Sequence, residues 1–155
     1  ESDRKLWVAA WILLKKALEE RFGLNDVPGE VACGDNGKPF FPSLPDVHFN
    51  LSHCRGVAAC VVADHPVGVD VERIRKVNLD LARRVLCSDE MRAMQRSKCP
   101  DEEFMRLWTA KESLLKLSGH GLVGLDEFEK VITPGANYST MVNSSRGYVL
   151  SVAWH

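Results

Sequence analysis

Two carboxylates stand two residues apart in the otherwise apolar segment Val67–Arg73. Because side chains alternate between the two faces of a strand, Asp70 and Glu72 would leave the same face. Two neighbouring carboxylates repel, and each raises the pKa of the other unless a cation lies between them. The segment therefore fits two structures equally well: a metal site, or the solvated face of an edge strand with Arg73 and Arg75 nearby.

A third carboxylate, Glu112, lies in the segment 108–116, whose apolar spacing is helical. Lys116 is four residues further on and shares the helix face of Glu112. By itself such a pair is typical of a solvent-exposed ion pair on a helix. Combined with Asp70 and Glu72, Glu112 would instead complete an all-oxygen site of the kind that Mg²⁺ prefers. Lys116 would then supply a positive charge for a phosphate group.

A serine and a histidine, Ser52 and His53, lie at the end of the strand-like segment 49–54. Adjacent residues on a strand face opposite sides, so neither the Ser52–His53 pair nor the His53–Cys54 pair is placed for direct proton transfer. The sequence also lacks the G-x-S-x-G turn of many serine hydrolases. Ser52 and His53 are therefore interpreted either as ligands of a phosphate or as residues that stabilise a turn.

The elements that must position these residues follow from the apolar periodicity of the chain. Strands and helices occur in blocks instead of alternating, so the predicted fold class is α+β. Trp7 and Trp11 widen the apolar stripe of the first helix, which is expected to be buried on more than one side. The predicted elements are a helix from Ser2 or Asp3 to Gly23, strands at 47–52, 57–63 and 67–73 with Gly56 in a hairpin turn, helices at 79–86, 88–95 and 101–119, and antiparallel strands at 128–132 and 148–154.

The composition bounds the class of protein. A chain of 155 residues with 45% apolar residues fits one domain or two small lobes, and it can bury an ordinary core. Its 20 Lys and Arg against 21 Asp and Glu argue against a protein that binds nucleic acid through its phosphate backbone. The apolar runs are too short to span a membrane, and no signal peptide is recognisable. Five scattered cysteines suit a reducing compartment, so a cytoplasmic protein is expected.

Four motifs follow one another along the chain: FNLSH at 49–53, GVDVE at 68–72, WTAKESLLK at 108–116 and GHGL at 119–122. This series resembles the motifs of the 4′-phosphopantetheinyl transferases. It is more similar to the surfactin-synthetase-activating (Sfp) type than to the short trimeric holo-acyl-carrier-protein synthase type. The segment GKPFFPSLPDVHFN at 37–50 resembles the one that precedes the histidine motif in the Sfp type. The resemblance extends from about Arg4 to the last strand.

The resemblance implies a pseudo-twofold α+β fold of two similar lobes, each with a small antiparallel sheet packed on helices. Residues 1–66 would form the first lobe and residues 67–155 the second, which carries the metal site. Members of the Sfp type have further residues before the helix that begins here near Ser2, so the first lobe is expected to lack a strand. Because two lobes in one chain would make it self-sufficient, a monomer is expected.

The implied reaction moves the 4′-phosphopantetheine arm of coenzyme A to a serine of an apo acyl- or peptidyl-carrier protein and releases 3′,5′-ADP. It requires Mg²⁺, which Mn²⁺ would replace. Carried over by position, Asp70, Glu72 and Glu112 match the metal ligands. Glu112 also matches the proposed base for the carrier serine, and Lys116 matches the group that meets the leaving phosphate. Lys111 matches the motif lysine, to which no role is assigned.

The resemblance also implies the residues that bind coenzyme A. His53 and Arg4 match residues that hold its 3′-phosphate. Ser52, Lys38 and Pro39 match residues that line the nucleotide pocket. Binding far from the reacting phosphorus is one way in which an enzyme supports a reaction that needs positioning and charge neutralisation more than covalent catalysis.

Two other functions use the same residues. A non-catalytic homologue that binds coenzyme A or a nucleotide would keep the pocket, but it would not require Asp70, Glu72, Glu112 and Lys116 together. A Mg²⁺-dependent phosphohydrolase would use the carboxylates, but it would leave the FNLSH and GKP segments without a function. Partners are therefore expected to be coenzyme A and a carrier protein, with no nucleic acid and no membrane.

Overall fold

Helices and short antiparallel strands make up the chain, and the predicted α+β class is confirmed. The computed structural model describes residues 2–119, Phe128 and 135–155. Within these ranges, none of the helices combines the length and the apolar character needed to cross a bilayer. The elements are α1 (Ser2–Phe22), β1 (Ala32–Cys33), β2 (Pro39–Phe40), β3 (His48–Cys54), β4 (Val57–Ala63), β5 (Val67–Arg73), α2 (Leu79–Val85), α3 (Ser88–Arg96), α4 (Pro100–Ser118), β6 (Asn137–Asn143) and β7 (Tyr148–Trp154).

Helix α1 packs on the antiparallel hairpin of β3 and β4. Its Leu14 and Leu18 are fully buried and belong to one hydrophobic cluster with Phe41 and Phe49. Burial of a large apolar side chain stabilises a fold by roughly 1.5–3 kcal/mol, so this cluster fixes the helix on the hairpin. The predicted hairpin is confirmed, and Gly56 provides the left-handed residue of its turn at a φ of 79°.

Helix α4 packs on the second sheet, a three-stranded antiparallel sheet in the order β5-β7-β6. Phe104 and Met105 of α4 are buried in a cluster with Val149 of β7 and with Phe128. The helix ends at Ser118 because Gly119 adopts a φ of 68° and donates its N–H to the Leu115 carbonyl at 3.1 Å. This packing places one face of α4 directly over β5.

The contact between β5 and α4 is closest at Gly68. A Cβ atom at this position would lie 2.1 Å from the Ser113 carbonyl oxygen and 2.4 Å from the Leu117 nitrogen, both of which are helix backbone. Backbone atoms of a packed helix cannot move aside as a flexible side chain can. Gly68 therefore sets how near the strand with Asp70 and Glu72 comes to the helix with Glu112.

We expect Gly68→Ala to lower the free energy of unfolding by about 2–3 kcal/mol or more, because the new methyl group would push α4 away from β5. Urea unfolding followed by circular dichroism measures this loss. Gly29→Ala is the matched control, since a Cβ at Gly29 meets nothing within 4 Å. Equal unfolding midpoints for the two variants would contradict this account of the helix–strand contact.

Side chains, not a backbone ladder, join β3 to β5. The two strands are described along their whole length and belong to different sheets. Asn50 Oδ1 accepts the N–H of Val69 at 2.8 Å, and Ser52 Oγ accepts the N–H of Val71 at 3.2 Å. Because residues two apart face the same side of a strand, Asn50 and Ser52 together tie one face of β3 to β5. The first hairpin is thereby fixed beside the strand that carries the paired carboxylates.

The C-terminal strands differ in part from the prediction. The strand at 148–154 is confirmed as β7, but its hairpin partner is β6, which was not predicted. All seven residues of β6 are exposed or half-buried, and the strand shows no regular apolar alternation. The strand expected at 128–132 lies outside the described residues except for Phe128, which is helical.

Candidate active site

A cavity of about 310 Å³ opens between α1, β3, β5 and α4, and it brings most of the predicted catalytic residues together. The residues that line it are Trp7, Leu51, Ser52, His53, Asp70, Glu72, Trp108, Glu112 and Lys116. They come from segments that are up to about a hundred positions apart in sequence. The site is therefore assembled by the packing of β3 against β5 and of α4 over β5.

A second cavity of about 260 Å³ adjoins the first and shares Trp7, Leu51, Glu112 and Lys116 with it. Its other lining residues are Asn36, Gly37, Lys38, Pro39, Asn50, Leu115 and Gly119. The GKP segment and the carboxylate segment thus line neighbouring spaces. A ligand with one end in each cavity would pass Glu112 and Lys116.

Asp70 is the most buried of the three carboxylates, with only 5% of its surface exposed. Its Oδ1 accepts hydrogen bonds from Lys116 Nζ at 2.7 Å and from Ser52 Oγ at 2.9 Å. Its Oδ2 is buried and has no hydrogen-bond partner among the residues that the structure describes. A buried carboxylate oxygen without a partner is costly, and a cation would satisfy it. Asp70 is therefore not part of a solvated strand face.

Burial and neighbouring negative charges both raise the pKa values of Glu72 and Glu112. Burial raises the pKa of Glu72, and the Asp70 carboxylate raises it further. Burial likewise raises the pKa of Glu112, to about 7, with further contributions from Asp70 and Glu72 that Lys116 partly offsets. Carboxylates arranged in this way repel one another until a cation or protons neutralise them.

The side chains that line the cavity offer the oxygen donors that suit a hard divalent cation, although their oxygen atoms do not converge on a single point. Across residues 2–119, Phe128 and 135–155, no three His, Cys, Asp or Glu side chains stand together as a ready metal site. Lys116 instead supplies the positive charge beside Asp70. The three carboxylates that line the cavity nevertheless offer the oxygen donors that Mg²⁺ accepts, and Asp70 Oδ2 has no partner among the described residues.

Of the residues predicted to bind coenzyme A, His53 and Ser52 line the first cavity, whereas Arg4 is not among the described lining residues of either cavity. His53 lines the first cavity, where its ring and that of Trp7 form a T-shaped contact at a centroid distance of 5.9 Å. Ser52 lines the same cavity, but its hydroxyl group is engaged by Asp70 and Lys116. Arg4 is exposed on the first turn of α1 and is not among the described residues that line either cavity.

Lys38 and Pro39, which the resemblance assigns to the nucleotide pocket, line the second cavity. The Lys38 ammonium group donates to the carbonyl oxygens of Val67 at 2.9 Å and Leu117 at 3.1 Å. It thereby links the GKP segment to β5 and to the end of α4. Burial lowers the pKa of Lys38 to about 8, so the amine loses its proton more easily than an exposed lysine would.

Lys111, the motif lysine without an assigned role, faces away from the cavities. It is 5% exposed, and its Nζ lies 2.9 Å from Glu90 Oε2 and 3.3 Å from the Phe128 carbonyl oxygen. Glu90 also accepts the N–H of Cys87 at the start of α3, at 2.8 Å. Lys111 therefore fixes α3 on α4, one residue away from Glu112.

The sequence prediction missed two tryptophans and two asparagines of the site. Trp7 was expected to be buried, yet it is 46% exposed and lines both cavities, stacked on Trp11 at 6.2 Å. Trp108 lines the first cavity. Asn36 and Asn50 line the second. Only the position of Trp108, one helical turn before Glu112, could have indicated its role.

Comparison with known proteins supports the family. Residues 66–152 match the model of the 4′-phosphopantetheinyl transferase superfamily, so the chain belongs to this superfamily and the resemblance is confirmed. The chain is 36% identical over 121 residues to a 4′-phosphopantetheinyl transferase of Bacillus subtilis, covering 76% of this chain and 54% of that protein. It is 32% identical over 121 residues, with the same coverage, to the 4′-phosphopantetheinyl transferase Sfp of Bacillus subtilis strain 168.

A further relative is the 4′-phosphopantetheinyl transferase HetI of Nostoc sp., which is 37% identical over 143 residues. That match covers 84% of this chain and 59% of the relative. The solved holo-[acyl-carrier-protein] synthase of Thermotoga maritima has 22% identity and a TM-score of 0.46, over 57% of this chain and 61% of that one. The chain spans about half the length of the curated relatives that it matches.

Proposed function

We propose that the protein transfers the 4′-phosphopantetheine moiety of coenzyme A to a serine of an apo acyl- or peptidyl-carrier protein and releases 3′,5′-ADP. The observation that supports this most directly is the shared cavity of Asp70, Glu72, Glu112 and Lys116. The family membership and the names of the relatives point to the same reaction. The chain would act as a cytoplasmic monomer, with residues 1–66 and 67–155 as its two lobes, and without nucleic acid or membrane partners.

Asp70, Glu72 and Glu112 would hold Mg²⁺, or Mn²⁺ in its place. When bound, this cation would neutralise the diphosphate of coenzyme A. Asp70 Oδ2 has no partner in the described part of the chain, and the pKa values of Glu72 and Glu112 are raised. Both observations support these residues as ligands, because a cation would offset the cost of burial and the repulsion.

The transfer forms a bond between the carrier serine oxygen and the phosphorus that bears the pantetheine, and it breaks the bond from that phosphorus to the bridging oxygen. Glu112, half-buried in the cavity wall, would receive the serine proton directly or through one water. Lys116 would leave Asp70 for the phosphates and neutralise the oxygen that departs with 3′,5′-ADP. Positioning and charge neutralisation are the main requirements of such a phosphoryl transfer.

Coenzyme A would extend from the first cavity into the second. His53 and Arg4 are proposed to hold its 3′-phosphate, and Ser52, Lys38 and Pro39 to line the space for the nucleotide. Ser52 lines the first cavity, and Lys38 and Pro39 line the second. This distribution supports a coenzyme A molecule that extends from one cavity into the other. Trp7 offers an exposed aromatic face at the junction of the two spaces.

The deciding experiment is mass spectrometry of an apo carrier protein incubated with this protein, coenzyme A and Mg²⁺. Transfer adds the mass of one phosphopantetheine to the carrier serine. A non-catalytic coenzyme A-binding homologue would bind the ligand without changing the carrier. A phosphohydrolase would cleave coenzyme A and also leave the carrier mass unchanged.

Removal of the metal is expected to stop the reaction. With EDTA the carrier should gain no mass, because the carboxylates would repel the diphosphate instead of binding it through a cation. Addition of excess Mg²⁺ or Mn²⁺ should restore the gain. Full transfer in EDTA would exclude the metal site.

We expect His53→Ala to weaken the binding of coenzyme A by about 10-fold or more, since a charge-assisted hydrogen bond to a phosphate would be lost. Dephospho-coenzyme A, which lacks the 3′-phosphate, should bind to the variant and to the unaltered protein with nearly equal affinity. Isothermal titration calorimetry measures both. His65→Ala is the control, because His65 is half-buried beside Asp64 and is absent from the described lining of both cavities. An equal loss of affinity for coenzyme A and dephospho-coenzyme A would show that His53 does not bind the 3′-phosphate.

A further inference from the structure

The two oxygens of the Asp70 carboxylate have opposite environments. Oδ1 lies 2.9 Å from Ser52 Oγ and 2.7 Å from Lys116 Nζ, while Ser52 Oγ and Lys116 Nζ are themselves 3.1 Å apart. Oδ2 is buried but has no partner among the described residues. One oxygen is thus held by two donors, and the other is left for a ligand.

The direction of the Ser52 proton follows from the donors around it. A serine hydroxyl has one proton to donate and two lone pairs that accept. The Val71 N–H, at 3.2 Å, and the Lys116 ammonium group, at 3.1 Å, can only donate, and together they occupy both lone pairs. The single proton of Ser52 is therefore left for Asp70 Oδ1, which can only accept.

Ser52 is itself rigidly placed. It is 6% exposed, and it belongs to β3, whereas Asp70 belongs to β5. The backbone ladder with β4 holds the serine main chain, and the Val71 N–H holds its hydroxyl, so the hydroxyl does not follow Asp70 if the carboxylate turns about its Cβ–Cγ bond. The hydrogen bond consequently fixes which oxygen of Asp70 is engaged by the protein.

We propose that Ser52 is a positioning residue that holds Asp70 Oδ1 and presents Oδ2 to the divalent cation. This role rests on the proposed metal site and adds to it a group from the first hairpin. Residues that orient a metal-binding side chain without touching the metal typically change its affinity by 10- to 100-fold when removed. Ser52 would act in this way, with the cation held by Asp70 and not by the serine.

The test is Mn²⁺ binding to the purified protein without coenzyme A, measured by the electron paramagnetic resonance signal of free Mn²⁺. Ser52→Ala should raise the dissociation constant of Mn²⁺ by about 10-fold or more. Asn50→Ala is the matched control, because Asn50 provides the other side-chain tie from β3 to β5, and its hydrogen bond there is to the Val69 N–H and not to Asp70. It should lower the unfolding midpoint about as much as Ser52→Ala does and leave Mn²⁺ affinity within about twofold.

An unchanged Mn²⁺ affinity in Ser52→Ala would overturn the proposal. An equal loss of Mn²⁺ affinity in Ser52→Ala and Asn50→Ala would also overturn it, because the loss would then come from weaker packing of β3 on β5. Asp70→Asn separates this failure from that of the metal site. If Asp70→Asn loses Mn²⁺ while Ser52→Ala keeps it, only the positioning role of Ser52 fails. If Asp70→Asn binds Mn²⁺ as the unaltered protein does, the metal site and the positioning role both fail.

Discussion

Asp70→Asn is expected to lower kcat for carrier modification by about 10³-fold or more, because a catalytic metal contributes several kcal/mol to a transition state and each 1.36 kcal/mol is a factor of ten. Asparagine has nearly the same shape, and its oxygen can still accept from Ser52 and Lys116. The substitution therefore removes the charge that would bind the cation and keeps the packing of β5. Initial rates of mass gain on the carrier, at saturating coenzyme A and Mg²⁺, measure the loss.

Asp80→Asn is the matched control for this substitution. Asp80 is exposed on α2, where it pairs with Arg83 at 2.7 Å, and exposed pairs of this kind contribute little to stability. Its kcat should stay within about twofold of the unaltered protein. Recovery of full kcat by Asp70→Asn at high Mg²⁺ would show that Asp70 contributes only to metal affinity and that the charge balance of the reaction is provided elsewhere.

Glu112→Gln is expected to lower kcat by about 10²-fold or more, since positioned general bases contribute roughly 10²- to 10⁴-fold. Glutamine keeps the size of the side chain but cannot accept the serine proton or bear a negative charge. The loss should persist at saturating Mg²⁺ if Glu112 is the base. If saturating Mg²⁺ restores kcat, Glu112 is a metal ligand alone, and Glu72 or a metal-bound hydroxide becomes the next candidate for the base.

The same variant should change how stability depends on pH. Burial, with help from Asp70 and Glu72, raises the pKa of Glu112 from 4.5 to about 7 in the folded chain. A raised pKa means that Glu112 contributes stability that is fully present below pH 4.5 and is lost as the pH rises through about 7. Glutamine cannot ionise, so the unfolding midpoint of Glu112→Gln in EDTA should rise relative to the unaltered protein between pH 5 and pH 8. Thermal unfolding at the two pH values measures the difference.

Glu103→Gln tests whether these effects belong to position 112. Glu103 lies on the same helix, but it pairs with Arg106 at 2.7 Å, and it is absent from the described lining of both cavities. The Arg106 guanidinium lowers the pKa of Glu103, so its contribution to stability has the opposite pH dependence: present above pH 4.5 and lost as the pH falls. Its kcat should remain within about twofold, and an equal loss of kcat in both variants would make the Glu112 effect a general one of the helix.

The sequence by itself determined which side chains share a face. A period of two placed Asp70 and Glu72 on one side of a strand, and helical spacing placed Glu112 with Lys116. The motif order was sufficient to indicate the family, and apolar periodicity predicted α1 and β7 closely. These features depend on local geometry, which is the same wherever the segment lies in the fold. Strand β6 was not predicted because its residues, which are exposed or half-buried, lack an apolar periodicity.

Only the tertiary structure decided how these faces meet and which groups are already engaged. The hydrogen bond from Lys116 to Ser52 joins residues 64 positions apart, and the one from Lys38 to Leu117 joins residues 79 positions apart. The half-exposed Trp7 likewise results from what packs beside it, and so does Asp70 Oδ2, which has no partner within the described ranges. Periodicity fixes the direction of a side chain relative to its own element, whereas its burial, partners and pKa depend on neighbours brought from elsewhere in the chain.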